Sequence, residues 1–217
     1  MGRSVWSTTI ELNGVNGLFI SGSSNQVLFN TVTYNHIEYS FGQDGGQIWL
    51  GMGSSGSIVR ENEVTGLYNY GNPENGCSVP PTGKNYGFEI YGTSQDLYNN
   101  GVTTQEVAGL VVDDTNGIEI MGTDPYCTQC TPNKIAGNYG AGIWFDNLDG
   151  PITGIVLDTV RVENNGGVGI QFDTSAPVDT GPGFPSGAAC LSGNSGGRWT
   201  GNDTGLSYKP PANDTGC

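Results

Sequence analysis

The sequence predicts an all-β fold, a single-stranded parallel β-helix (solenoid) of about six to seven coils, and three observations lead to it. A Gly-led strand pattern returns along the chain, an Asn-led pattern keeps step with it, and no long apolar run shows the 3.6-residue spacing of a helix. Recurrence of this kind marks solenoids, in which each unit buries its apolar face only against the units above and below.

The first pattern reads Gly, apolar, any residue, apolar: Gly17-Leu18-Phe19-Ile20, Gly87-Phe88-Glu89-Ile90, Gly117-Ile118-Glu119-Ile120, Gly142-Ile143-Trp144-Phe145 and Gly169-Ile170-Gln171-Phe172, with Gln47-Ile48-Trp49-Leu50 as a copy lacking the glycine. Its leading apolar residues stand 30, 40, 30, 25 and 27 residues apart. The second pattern is Asn30-Thr31-Val32, Asn62-Glu63-Val64, Asn100-Gly101-Val102, Asn133-Lys134-Ile135 and Asp158-Thr159-Val160, each 12 to 15 residues into its own unit. Short alternating runs bounded by Gly make each unit a coil of two or three strands, with equivalent residues of successive coils about 4.8 Å apart. Leu18, Ile48, Phe88, Ile118, Ile143 and Ile170 are therefore expected to form one interior stack. Asn30, Asn62, Asn100, Asn133 and Asp158 are expected to form a ladder at an interior bend, satisfying backbone groups that have no strand partner.

The coils resemble the pectin-lyase-like superfamily of right-handed parallel β-helices. "SFGQDGGQIWLGMGSSGSIVRENEV", Ser40 to Val64, is similar to a stretch common among its carbohydrate-active members. The resemblance implies a right-handed coil and a polysaccharide partner. The chain has neither the Arg-x-Pro-x-x-Arg segment associated with pectate lyases nor the Asn-Thr-Asp, Asp-Asp, His-Gly and Arg-Ile-Lys set associated with polygalacturonases, so neither chemistry carries over.

Residues 1–175 are expected to form the coils, and 176–217 a Gly/Pro-rich loop and irregular C-terminal cap of the same domain. Thirty-seven glycines in 217 residues fit a chain that turns often. No apolar run approaches the roughly 18 residues that cross a bilayer, so no membrane partner is expected. A net charge of −14 excludes nucleic acid as a natural partner and makes a neutral glycan easier to bind than an acidic one, for which Ca²⁺ would have to bridge. No other cofactor and no metal site is expected. Met1-Gly2-Arg3 leads straight into strand-like sequence, leaving room for a further chain or partner stacked on the N-terminal coil.

Of the five cysteines, Cys127 and Cys130 have zinc-like spacing, but a zinc site needs four ligands and His36 is the only histidine. Disulfides are the expectation, with Cys190–Cys217 as a staple on the last coil and Cys77 or the Cys127/Cys130 pair as further candidates. Cysteines in loop-like segments, few lysines and the sequons at Asn202 and Asn213 point to an extracellular or cell-surface setting.

Alternation along the strands sets the residue between the two apolar positions outward. The expected outer column is then Phe19, Trp49, Glu89, Glu119, Trp144 and Gln171, and the next is Ser21, Gly51, Tyr91, Met121, Asp146 and Asp173. Glu89 and Glu119 on neighbouring coils would stand near the separation of about 5–5.5 Å used by retaining glycosidases, and are the expected catalytic pair. Trp49, Trp144, Tyr91, Asp146 and Asp173 are the expected substrate contacts, since aromatic faces stack on sugar rings. An ordinary solvated face is the alternative, because a cross-strand pair of like charges costs under about 1 kcal/mol. Asp44, Lys84 and Asp114 precede three coils and are secondary candidates for acid or base chemistry, with a surface ion-pair ladder as the plain reading. His36 has no nucleophile beside it in the motif and is expected on the surface. The function expected is that of an extracellular carbohydrate-active protein, first a glycoside hydrolase; a polysaccharide lyase and a non-catalytic glycan-binding, adhesive or structural β-helix segment are the alternatives.

Overall fold

The computed structural model describes residues 2–11, 16–35, 45–66, 85–105, 107–113, 115–121, 133–146, 152, 154–158, 160–172, 189–191, 193–196 and 199–200. Along these the chain makes strands in a fixed rotation of three. The first passage is β1 (Ser4–Trp6), β2 (Thr9–Glu11) and β3 (Leu18–Ile20). The next two are β4 (Gln26–Leu28), β5 (Thr31–Thr33), β6 (Gly45–Leu50) and then β7 (Ile58–Arg60), β8 (Glu63–Thr65), β9 (Asn85–Ile90). They are followed by β10 (Asp96–Tyr98), β11 (Gly101–Thr103), β12 (Ala108–Asp113), and by β13 (Glu119–Met121), β14 (Lys134–Ala136), β15 (Ala141–Asp146). Last come β16 (Val156–Asp158), β17 (Val160–Glu163) and β18 (Ile170–Phe172), then β19 (Ala189–Cys190) and β20 (Trp199–Thr200).

Strands at the same place in the rotation pair in parallel, giving a first sheet β1-β4-β7-β10-β13-β16, a second β2-β5-β8-β11-β14-β17-β19 and a third β3-β6-β9-β12-β15-β18-β20. An all-β chain with three parallel sheets in strict alternation is a parallel β-solenoid. β19 and β20 continue the second and third sheets by pairing with β17 and β18, so strand pairing reaches into the segment expected to be an irregular cap.

Strands of the first and second sheets each turn one apolar residue inward, and these residues fill the interior: Val27, Val59, Leu97, Ile120 and Leu157 from the first sheet, Val32, Val64, Val102, Ile135 and Val162 from the second. β-branched side chains suit this position, because they are stiff and pack well on a pleated surface. The third sheet contributes two interior files, and Leu18, Ile48, Phe88, Leu110, Ile143 and Ile170 are successive partners in one of them. Ile118 does not belong to this stack, contrary to the sequence expectation. It stands at the corner before β13, whose partners are β10 and β16 in the first sheet. Gly109-Leu110-Val111-Val112 and Gly117-Ile118-Glu119-Ile120 satisfy the same pattern and both bury their apolar residues, so apolarity alone does not say which sheet each enters.

Eight of the described corners use one device, a residue in the left-handed region followed by an inward amide. Between the first and second sheets the pairs are Phe29-Asn30, Glu61-Asn62 and Asn99-Asn100; after the second they are Tyr34-Asn35, Thr104-Gln105, Gly137-Asn138, Asn164-Asn165 and Gly193-Asn194. The left-handed residue turns the chain towards the next sheet in one step, and the amide satisfies the backbone freed by the bend. Asn30 Nδ2 donates to Asn62 Oδ1 at 2.9 Å, Asn62 Nδ2 to Asn100 Oδ1 at 2.9 Å and Asn100 Nδ2 to Asn133 Oδ1 at 3.1 Å. Asp158 is not the next rung: it lies in β16 opposite Met121, and the register of β14 on β17 places the buried Val160 beyond Asn133. The Asp-x-Val spelling imitates the corner motif, but there the aspartate still belongs to the first-sheet strand. A second amide ladder, Asn138–Asn165–Asn194, runs at the other corner with side-chain bonds of 2.9 and 2.8 Å.

A file of glycines, Gly87, Gly109 and Gly142, lies where the third sheet begins. A Cβ on any of them would collide with the Val102, Ile135 or Val162 side chain of the second sheet, so the two sheets meet there without side chains between them. Gln47 takes this place in β6, and its side chain explains the exception: Oε1 accepts from Asn35 N and Nδ2 at 2.9 and 3.0 Å, and Nε2 donates to Asn35 O at 2.9 Å.

Candidate functional site

Outward positions of the third sheet carry most of the sequence-predicted contacts. Along the register the column is Phe19, Trp49, Glu89, Val111, Trp144 and Gln171, with Val111 where Glu119 was expected. Phe19 is 53% exposed, and its ring meets Trp49 edge-on at 5.1 Å; Trp49 meets Tyr91 edge-on at 6.1 Å. The Trp49 indole N–H is enclosed and makes no hydrogen bond among the described residues. Farther along, Trp144 packs with Tyr86, Val111, Ala108 and Ala141 in a small apolar cluster outside the main core. Its ring stands 6.2 Å from that of Tyr86.

Glu89 lies between these aromatic groups but is only 1% exposed, and Asp146, opposite Asp113 on β12, is 3% exposed. Both are too enclosed to touch a polymer. On this face Phe19 is exposed, Trp49, Tyr91 and Trp144 are half-buried, and the two acids are enclosed. Asp173, Asp44, Lys84 and Asp114 lie outside the described residues, as do His36, Cys77, Cys127, Cys130 and Cys217.

Glu89 and Glu119 are not neighbours. Glu89 is on β9 of the third sheet between Trp49 and Val111, whereas Glu119 is on β13 of the first sheet between Asp96 and Val156. The expected pair fails because it followed from placing Ile118 in the wrong stack. Glu119 nonetheless has a carboxylate partner, Asp96, directly opposite on a paired parallel strand and so about 4.8 Å away at the backbone.

Asp96 and Glu119 are both half-buried, each at the outward first position of its strand. Burial, with a further push from the charge of Glu119, raises the Asp96 carboxyl above the ordinary aspartate range. The next strand in the sheet places Ile58 beside Asp96 and Arg60 beside Tyr98. Gln26, Leu28, Ile58 and Arg60 line a pocket of about 310 Å³, and the Arg60 guanidinium lies 5.4 Å from the centre of the Phe29 ring. Only the corner 92–95 separates the half-buried Tyr91, just past β9, from Asp96.

Asp96 was not singled out from the sequence, although a signal for it exists. The Asn of each two-residue corner stands four places after the outward first residue of the preceding strand, which gives Gln26 from Asn30, Ile58 from Asn62 and Asp96 from Asn100. The same count fails for Asn133, because the connection from β13 to β14 is longer, and this hid Glu119 from its partner.

Among the described residues no group of three or more His, Cys, Asp or Glu side chains is arranged to hold a metal ion. No helix there is long and apolar enough to cross a membrane. Neither a protein-family model nor a curated protein sequence matches this chain.

Proposed function

We propose that the protein is an extracellular, carbohydrate-active parallel β-helix, right-handed and of six to seven coils as in the pectin-lyase-like superfamily, and that it is a glycoside hydrolase of neutral polysaccharide. The observation that carries this reading is the Asp96–Glu119 pair, two accessible carboxylates on adjacent rungs, one of which holds its proton more tightly than usual. Glycoside hydrolysis needs this division: a protonated carboxyl to donate to the leaving oxygen and a second carboxylate at the anomeric carbon. Asp96 takes the acid/base role and Glu119 the nucleophile role. Their spacing on adjacent strands suits the retaining course, in which a glycosyl–Glu119 ester forms as Asp96 protonates the departing sugar, and water deprotonated by Asp96 then cleaves the ester. The first-sheet pocket offers an amide, a guanidinium and two aliphatic surfaces to a sugar beside the pair, and Tyr91 stands at the adjoining corner.

The test is release of reducing ends from a panel of neutral polysaccharides, with a uronate polymer for contrast. Asp96→Asn and Glu119→Gln should each lower turnover by about 10²–10⁴-fold with unchanged circular dichroism, while Glu89→Gln should leave it within a few-fold. Turnover that survives both first-sheet variants would overturn the assignment, and an ultraviolet-absorbing unsaturated product would make the protein a lyase. Binding without turnover is the second reading, favoured by the exposed Phe19 with the half-buried Trp49 and Tyr91 beside it, on a face that the acid pair does not share.

A further inference from the structure

On the outer face of the second sheet, Thr31, Glu63, Gly101, Lys134 and Arg161 follow one another in register. Gly101 interrupts this row of side chains, and a Cβ built there would meet nothing within 4 Å. Ala136 and Gly137 keep the neighbouring strand low. The result is a notch of about 480 Å³ with Glu63, Thr103, Lys134 and Asn164 around it.

That volume lies within the range of roughly 300–1,000 Å³ typical of small-ligand sites. The rim offers a carboxylate that only accepts hydrogen bonds, an ammonium that only donates, and a hydroxyl and an amide that do both. Lys134 is held in place, its Nζ 3.4 Å from Glu163, which also receives Arg161 at 3.0 Å. Glu63 and Glu163 offset the two cations, so the notch has no net attraction for an anion in a chain of charge −14. An apolar ligand would leave the charged rim without partners. A ligand that alternates hydroxyl donors and acceptors around a ring satisfies it. Glu63 and Lys134 stand two strand spacings apart, about 9–10 Å, roughly the length of two linked pyranose rings.

We propose that this notch is a saccharide subsite, binding one or two neutral sugar units on a different sheet from the Asp96–Glu119 pair. It would hold substrate or product chain away from the reacting bond, and it stands whether or not that pair is catalytic.

Titration of the ¹⁵N-labelled protein with cellobiose, maltose and xylobiose, and separately with glucuronic acid, tests it. At least one neutral disaccharide should shift the amides of Gly101, Thr103 and Gly137 saturably. Gly101→Leu, which fills the notch from a position with open space above it, should abolish the shifts, and Glu63→Gln or Lys134→Gln should weaken binding by about ten-fold. Asp96→Asn should leave the titration unchanged even though it stops hydrolysis, which separates this site from the proposed active site. No shift at those amides with any neutral probe, shifts that persist in Gly101→Leu and both rim variants, or tighter binding of glucuronic acid than of every disaccharide would each overturn the proposal.

Discussion

Asp96 gives the chain a testable compromise between stability and chemistry. Its carboxyl is raised in the folded state, so between the ordinary aspartate value and the raised one the folded protein binds more protons than the unfolded chain, and stability falls as pH rises through that window. Asp96→Asn removes the charge that burial and Glu119 oppose. Its melting temperature should therefore exceed that of the parent at neutral pH, with the gap closing as pH drops below the ordinary aspartate range; thermal melts across pH check this. A variant less stable than the parent at pH 7 would mean that the Asp96 charge is held by favourable bonds. At the corner, Asn62 accepts from Asn30 N and Nδ2 and donates to Val27 O and Asn100 Oδ1, all within 3.1 Å. Asn62→Ala would strand several buried groups together and should cost about 2–4 kcal/mol in urea unfolding.

At the scale of the element, the corners carry strain in side chains as well as in glycine. Among the described residues nine non-glycines have φ between 49° and 59°, including the β-branched Thr104. Thr104→Gly should stabilise by about 0.5–1 kcal/mol in chemical denaturation, while Asn99→Gly should bring no gain, because asparagine already tolerates this region. The glycine file gives the opposite result: Gly109→Ala should destabilise by about 1–3 kcal/mol, since its Cβ would push into Ile135, whereas Gly101→Ala should change stability by under about 0.5 kcal/mol. These elements also show how far the sequence could be read. Asn30 to Asn133 were legible as a ladder because each amide directly precedes its second-sheet strand and so stands two residues before the inward valine or isoleucine, whatever the length of the connection before it. Asn138, Asn165 and Asn194 each stand three residues after a buried Ile135, Val162 or Leu191, but the stretch from there to the third sheet varies in length, so they keep no fixed distance from the Gly-led motif. Glu89 and Glu119 look equivalent in sequence, each between two buried apolar residues, and only strand pairing shows that they face away from different sheets.

For the molecule as a whole, 21 acidic against seven basic side chains leave a net repulsion. Screening should relieve this, so the melting temperature should climb between low and physiological salt; a flat or falling response would show that local ion pairs such as Arg161–Glu163 outweigh the overall field. The strict rotation through three sheets also has a mechanical meaning. Every strand pairing and amide ladder bonds one passage to the next, so bonds between layers lie along the long axis and covalent chain runs around it. Pulled between Ser4 and Phe172, the molecule should peel layer by layer instead of shearing as a block. The lengths released are written in the third-sheet stack, where Leu18, Ile48, Phe88, Leu110, Ile143 and Ile170 are separated by 30, 40, 22, 33 and 27 residues. At roughly 3.5 Å per residue, a force–extension trace should show steps of about 75 to 140 Å, an uneven series that reads out the order in which the layers let go.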